Sequence, residues 1–128
     1  MIVSDLNNDS KLDLVVVNRI GDDVSVILSN GDGTFQNQMN DSIAYSPICV
    51  ITDDFNNDFK LDLAVSNGDG DSISVLLGNR DGTFQKHLAY TLLSDPWFLT
   101  VGDFNGDWKP DLAVDDGGSV NIFLNSCS

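Results

Sequence analysis

The sequence predicts an all-β chain of about three four-stranded antiparallel units. Three observations predict it: an internal repeat, a hydrophobic period of two, and an acidic composition made entirely of Asp. Asp5-Leu-Asn-Asn-Asp-Ser-Lys-Leu-Asp-Leu14 recurs as Asp54-Phe-Asn-Asn-Asp-Phe-Lys-Leu-Asp-Leu63 and again as Asp103-Phe-Asn-Gly-Asp-Trp-Lys-Pro-Asp-Leu112. The leading Asp residues stand at 5, 54 and 103, two equal steps of 49 residues. Asn30-Gly-Asp-Gly-Thr-Phe35 recurs at the same step as Asn79-Arg-Asp-Gly-Thr-Phe84. Within each unit the apolar residues alternate or run continuously and never follow the 3.6-residue spacing of an amphipathic helix.

The second unit shows the elements in order. A strand runs from Ile48 to Thr52, followed by the loop that opens on Asp54, and a second strand from Leu61 to Ser66. The turn Asn67-Gly-Asp-Gly-Asp71 leads into a strand from Ile73 to Leu77; a turn over Gly78 to Gly82 leads into a strand from Thr83 to Tyr90. Asn-Gly and Asp-Gly pairs between apolar runs mark hairpins because they tolerate positive φ. Four antiparallel strands in about 49 residues is the size of a β-propeller blade. The chain is therefore one repeat domain over 1–128, with blades at 1–46, 47–95 and 96–128. The last is incomplete, running to Phe123-Leu124-Asn125 without a fourth strand. Propellers close with roughly four to eight blades. The remaining blades of a longer protein, or a homo-oligomer partner, are expected to cover the flanks of a partial propeller.

The 128 residues carry 20 acids against six Lys and Arg, a formal charge of -14, and all the acids are Asp. Asp and Asn favour turns, caps and metal loops, whereas the absent Glu favours helices. So negative a surface excludes nucleic acid, whose phosphates need basic partners, and anionic membrane surfaces. No apolar run is long enough for a membrane-spanning helix, so no membrane insertion is expected. Met1-Ile-Val-Ser-Asp5 shows no basic-then-apolar leader, so no signal peptide is expected in the chain itself.

The loops carry the chemistry. Each reads Asp-x-Asn-x-Asp-x-Lys-x-Asp, with side-chain oxygens at positions 1, 3, 5 and 9. Alternate side chains on a tightly curled loop converge on one centre, which is how a hard cation collects its six to eight oxygens. Position 7 is Lys11, Lys60 or Lys109; it is expected to give its backbone carbonyl while the ammonium points to water. Position 9 is Asp13, Asp62 or Asp111, placed to supply a bidentate carboxylate at the start of the next strand. Three carboxylates per loop favour Ca²⁺ over Mg²⁺, which demands a tighter octahedron and keeps its waters. The loops contain neither His nor Cys, which argues against zinc. An EF-hand would need Gly at position 6, Glu at position 12 and a following helix; here position 6 is Ser10, Phe59 or Trp108 and a strand follows.

A calcium loop between two strands of a blade resembles the FG-GAP/VCBS repeats of integrin-type proteins. The resemblance rests on Asp-Phe-Asn-x-Asp-x-Lys-x-Asp-Leu-Ala-Val and Leu-Gly-Asn-x-Asp-Gly-Thr-Phe, and it extends over essentially the whole chain. It implies a calcium-binding β-propeller module, usually extracellular or at the cell surface, with one Ca²⁺ in each loop-bearing blade. By position the ligands are Asp5, Asn7, Asp9, Lys11 and Asp13 in the first loop. They are Asp54, Asn56, Asp58, Lys60 and Asp62 in the second, and Asp103, Asn105, Asp107, Lys109 and Asp111 in the third. Position 6, usually Gly in the family, departs from the pattern.

The expected role is a non-enzymatic interaction or adhesion module whose partner is a protein or a glycan. Calcium ligation consumes the carboxylates that catalysis would need as a pair of unlike pKa. The competing readings are a fragment of a propeller hydrolase or polysaccharide lyase, and a lectin-like propeller. Phe59 and Trp108 share one loop position in consecutive units and are expected to pack on neighbouring loops; exposed, they would be anchors for a partner. Trp97-Phe98-Leu99 is expected in the core, His87 at the surface, and Cys49 as a buried thiol. Cys127 is read as free or paired outside the chain. Asn40-Asp-Ser42 is a glycosylation sequon usable in a secreted protein, and Asn8-Asp-Ser10, inside a metal loop, is expected to be silent.

Overall fold

The structure, a computed structural model, describes residues 1–92 and 95–126. Cys127 lies outside them. The described chain is all-β, in three separate antiparallel sheets. The first sheet has the order β1 (Ile2–Ser4), β2 (Asp13–Asn18), β3 (Asp23–Ile27), β4 (Met39–Ser42). The second repeats it with β5 (Pro47–Asp53), β6 (Asp62–Asn67), β7 (Ser72–Leu76) and β8 (Leu88–Thr91). The third is a meander of β9 (Phe98–Gly102), β10 (Asp111–Asp115) and β11 (Val120–Phe123), with no fourth strand among the described residues. These are three propeller blades, none closed on itself, as the sequence predicts.

Alternation along the strands decides which seam each side chain enters. On β6, Leu63 and Val65 enter the core shared with the first blade, where Val15, Val24 and Val26 meet them. Ala64 points the other way, into the core shared with Leu99 and Val114 of the third blade. Every residue of β6 is buried, because this strand has a blade on each side. Polar contacts cross the first seam as well: Arg19 reaches Asp69 at 3.9 Å, and His87 Nδ1 lies 3.1 Å from the Ser42 carbonyl oxygen. His87 is thus half-buried in the seam rather than a free surface residue. Cys49 is a half-buried free thiol packed against the second core.

Two expectations need correction. The strand expected over Thr83 to Tyr90 is broken: Phe84 makes a single bridge to Gly78, and β8 begins only at Leu88. The backbone there is committed to the turn, with Asn79 N donating to the Thr83 carbonyl at 3.0 Å and Gln85 N to that of Leu77 at 2.8 Å. Trp97 and Phe98, expected in the core, are exposed; only Leu99 of that run is buried. Phe98 lies opposite Asp115 in the ladder, on the face of the third blade that has no described neighbour.

The turn after the third strand of each complete blade shows how the repeat tolerates strain. Gly31 adopts φ 81, and at the same position in the second blade stands Arg80 at φ 70. A side chain in this left-handed region costs roughly 1–2 kcal/mol, of which glycine's greater chain entropy returns only part. Arg80→Gly should therefore raise stability by about 0.5–1 kcal/mol. The check is the urea midpoint at unchanged slope; a midpoint that stays put or falls would show that the arginine side chain repays its strain.

Candidate metal centre

The three loops fold alike. In the first, the Asp5 carboxylate accepts the backbone N–H of Asp9 (3.1 Å) and of Ser10 (2.8 Å), which curls the loop around it. Asp9 accepts from Lys11 N at 3.0 Å, and Asn7 Nδ2 donates to Asp9 at 3.3 Å. The second loop repeats this with Asp54 accepting from Asp58 N (3.0 Å) and Phe59 N (2.7 Å), and Asp58 from Lys60 N (3.0 Å). The third does so with Asp103 accepting from Gly106, Asp107 and Trp108 at 2.7–3.0 Å, and Asp107 from Lys109 at 3.0 Å. Curling so tightly drives positions 4 and 6 into left-handed backbone: Asn8, Asn57 and Gly106, then Ser10, Phe59 and Trp108, at φ 60–78. Asn and Gly suit such φ; Phe and Trp do not.

The position-9 carboxylate has a second task that the sequence reading missed. Asp13, Asp62 and Asp111 are fully buried. Asp13 accepts Leu6 N and Ser29 N, both at 2.9 Å; Asp62 accepts Phe55 N at 3.0 Å and Gly78 N at 2.8 Å. Asp111 accepts Phe104 N at 2.9 Å and Asn125 N at 2.7 Å. Each of these residues ties the loop to the end of the third strand. The donor lies 16 residues on in two blades but 14 in the third, where the turn over Asp116 to Ser119 keeps its length but β10 and β11 are each one residue shorter than their counterparts. Asn125 also crosses the seam, its Nδ2 donating to the Phe55 carbonyl at 2.7 Å. The available signal was an Asp flanked by apolar residues at a strand start, where a buried carboxylate must find donors.

Of the predicted ligands, the third loop brings Asp103, Asp107 and Asp111 together, with one oxygen from each within 4.8 Å of the others. The first and second loops hold their carboxylates less closely among the described residues. In those two loops the solvent-exposed lysine also lies beside the position-5 carboxylate, Lys11 to Asp9 at 3.8 Å and Lys60 to Asp58 at 3.7 Å. Those same loops bury an oxygen that nothing satisfies: Asn7 Oδ1 and Asn56 Oδ1 have no hydrogen-bond partner. A buried carbonyl oxygen without a donor costs about 1–3 kcal/mol unless something electropositive meets it.

Electrostatics differ between loops. Burial raises Asp62 above the ordinary carboxyl value, against the hydrogen bonds from Gly78 and Phe55, and the charges of Asp58 and Asp54 raise it further. Asp103 is lowered, chiefly by the N–H of Trp108.

The sequence profile of the FG-GAP-like repeat family matches residues 5–65 and again residues 54–114, each match opening on the first Asp of a loop. The chain belongs to the FG-GAP-like repeat family. A search of curated proteins finds no match. In this FG-GAP-like chain the exposed position-6 aromatics are the departure with structural consequences: Phe59 is 83% and Trp108 93% exposed. Both stay open to solvent instead of being packed away, contrary to expectation.

Proposed function

We propose that this FG-GAP-like chain is a calcium-binding, non-enzymatic interaction module of the extracellular space, each loop holding one Ca²⁺. The observation that carries the reading is the pair of orphaned oxygens, Asn7 Oδ1 and Asn56 Oδ1, buried at position 3 of loops built from carboxylates. A hard, oxygen-seeking cation satisfies them and offsets the carboxylate repulsion together. In the third loop the converging Asp103, Asp107 and Asp111 support the same reading. Asp5, Asn7, Asp9, Asp13 and the Lys11 carbonyl would hold the first ion. Asp54, Asn56, Asp58, Asp62 and the Lys60 carbonyl would hold the second, and Asp103, Asn105, Asp107, Asp111 and the Lys109 carbonyl the third. Bound calcium fastens each loop to the two strands it joins. Phe59 and Trp108, bulky, exposed and in costly backbone, support the loop-bearing surface as the contact surface for a protein or glycan.

Titration calorimetry of the EDTA-stripped chain should find three Ca²⁺ per chain, with a rise in melting temperature, since a ligand of the native state alone stabilises it. No heat and no shift at millimolar calcium would overturn the proposal. Protons compete with calcium for these carboxylates. The second site, with Asp62 raised, should therefore release its ion at a higher pH than the third, where Asp103 is lowered.

Single substitutions separate side-chain from backbone ligands. Asp58→Ala should cost the second site most of its affinity and leave the other two nearly unchanged, because each loop supplies its own set of side-chain oxygens. Lys60→Ala should be almost silent, since it retains the carbonyl and removes only an exposed ion pair. Equal damage from both would overturn the assignment of the position-7 backbone carbonyl as the ligand.

A further inference from the structure

The loop-bearing surface has a cavity of about 280 Å³ in the cleft between the first and second blades, so both of its walls belong to the described chain. One wall is the opening of the first loop, with Ser4, Asp5 and Asn8; the other carries Phe59, Lys60 and Arg80. Two of the six Lys and Arg thus meet at one cavity in a chain of net charge -14. Lys60 pairs with Asp58 at 3.7 Å, but the Arg80 guanidinium has no hydrogen bond, ion pair or ring contact among the described residues. Phe59 and Arg80 also share a backbone feature. Both are left-handed, at φ 64 and φ 70, where the first blade has the smaller Ser10 and Gly31. Burial does not offset the strain, since both side chains are exposed. Backbone strain kept at two exposed residues of one cavity points to a ligand.

We propose that this cavity takes a carboxylate-bearing sugar, one uronate residue of an acidic glycan. The planar Arg80 guanidinium presents a fork of N–H donors that matches a carboxylate, and the Lys60 ammonium adds to the attraction. The exposed Phe59 ring offers an apolar face to the C–H side of a sugar ring. Ser4 and Asn8, whose side chains make no hydrogen bond among the described residues, offer neutral partners to its hydroxyls. The volume lies just below the roughly 300–1,000 Å³ of pockets for larger ligands, which suits a single ring. An acidic peptide side chain would answer the cations alone. Asp5 opposes an anion, but its carboxylate accepts the Asp9 and Ser10 N–H groups and belongs to the proposed calcium ligands, where the ion offsets its charge. The inference rests on the reading of the loop-bearing surface as a contact surface, and it adds the ligand class and the place.

Amide chemical-shift titration of the calcium-equilibrated chain with methyl glucuronide tests it. Saturable shifts are expected at Phe59, Lys60 and Arg80 in the millimolar range. Methyl glucoside, which lacks the carboxylate, should bind about tenfold or more weakly. Arg80→Gly and Phe59→Ser take the residues of the first blade, so both variants should fold, as the retained amide spectrum will show. Arg80→Gly should weaken glucuronide binding about tenfold or more, and Arg80→Lys, which keeps the charge but not the planar fork, should fall between. Phe59→Ser should weaken binding of the glucuronide and the glucoside alike. No saturable shift, equal binding of the glucoside, or binding indifferent to Arg80→Gly would overturn the inference. Tighter binding of N-acetylaspartate methylamide would overturn it in favour of an acidic peptide. Shifts confined to the third loop around Trp108 would overturn this site while leaving the surface a contact surface. The shifts that calcium itself induces in the loops, recorded before any sugar is added, test the calcium reading separately.

Discussion

Asp62→Ala should destabilise the metal-free chain by about 3 kcal/mol, and more in calcium. Asp62 is fully buried, and both its oxygens accept backbone N–H groups, from Phe55 and from Gly78. Alanine leaves both donors orphaned, at about 1–3 kcal/mol each. An opposing effect reduces the loss. Burial and the charges of Asp58 and Asp54 raise the Asp62 carboxyl, so its ionised form is itself disfavoured in the fold. Removing it relieves that charge, but two unsatisfied donors outweigh the relief.

The sign of the pH dependence follows from the same shift. A carboxyl raised on folding favours the folded state below its ordinary value of 3.8, and that contribution is lost as pH rises through the folded value. Asp62→Ala should abolish this part of the slope in EDTA. Urea midpoints measured across that range check both claims. A loss within about 0.5 kcal/mol of zero would show that the two N–H groups find other acceptors. Asp62→Asn, which retains one acceptor oxygen, should fall between wild type and alanine.

The repeat made the blades legible, because a register that recurs with its loops leaves one assignment of strands. Leu63 and Val65 against Ala64 could be sorted by alternation alone, and the sheet order followed from the hairpin turns. What escaped the sequence was whatever depended on neighbours. Trp97 and Phe98 read as core, since the matching run in the second unit is apolar too, but burial there requires a blade beyond β9, and no described one stands there. Phe59 and Trp108 read as packed because large apolar residues usually are. The loop's left-handed turn at position 6 instead leaves them exposed. The recurring loop motif was plain in the spacing. The bracing role of Asp13, Asp62 and Asp111 was not, since it is written in donors 14 to 16 residues away.

Gly78→Ala should be the most damaging glycine substitution in the second blade, costing about 3 kcal/mol or more. A Cβ there would lie 2.0 Å from the carbonyl oxygen of Leu61 and 3.1 Å from its carbonyl carbon. These are backbone atoms, so no rotamer change can make room. Leu61 is held in turn by its packing against the first core, and Gly78 N is held by Asp62 at 2.8 Å. Relief therefore means breaking the brace or withdrawing Leu61 from the seam, and each adds to the overpacking cost of roughly 1–3 kcal/mol. The first blade shows why the second is the strict one. Its equivalent residue is Ser29, which carries a Cβ, and there Leu12 is exposed rather than pressed into a core. Gly33→Ala is the control: it meets no atom within 4 Å, so only its φ of 91 opposes it, at about 1–2 kcal/mol. Chemical denaturation of the two variants should rank Gly78→Ala well below Gly33→Ala. The reverse order would mean that the turn at Gly78 can move away from Leu61 without disturbing Asp62.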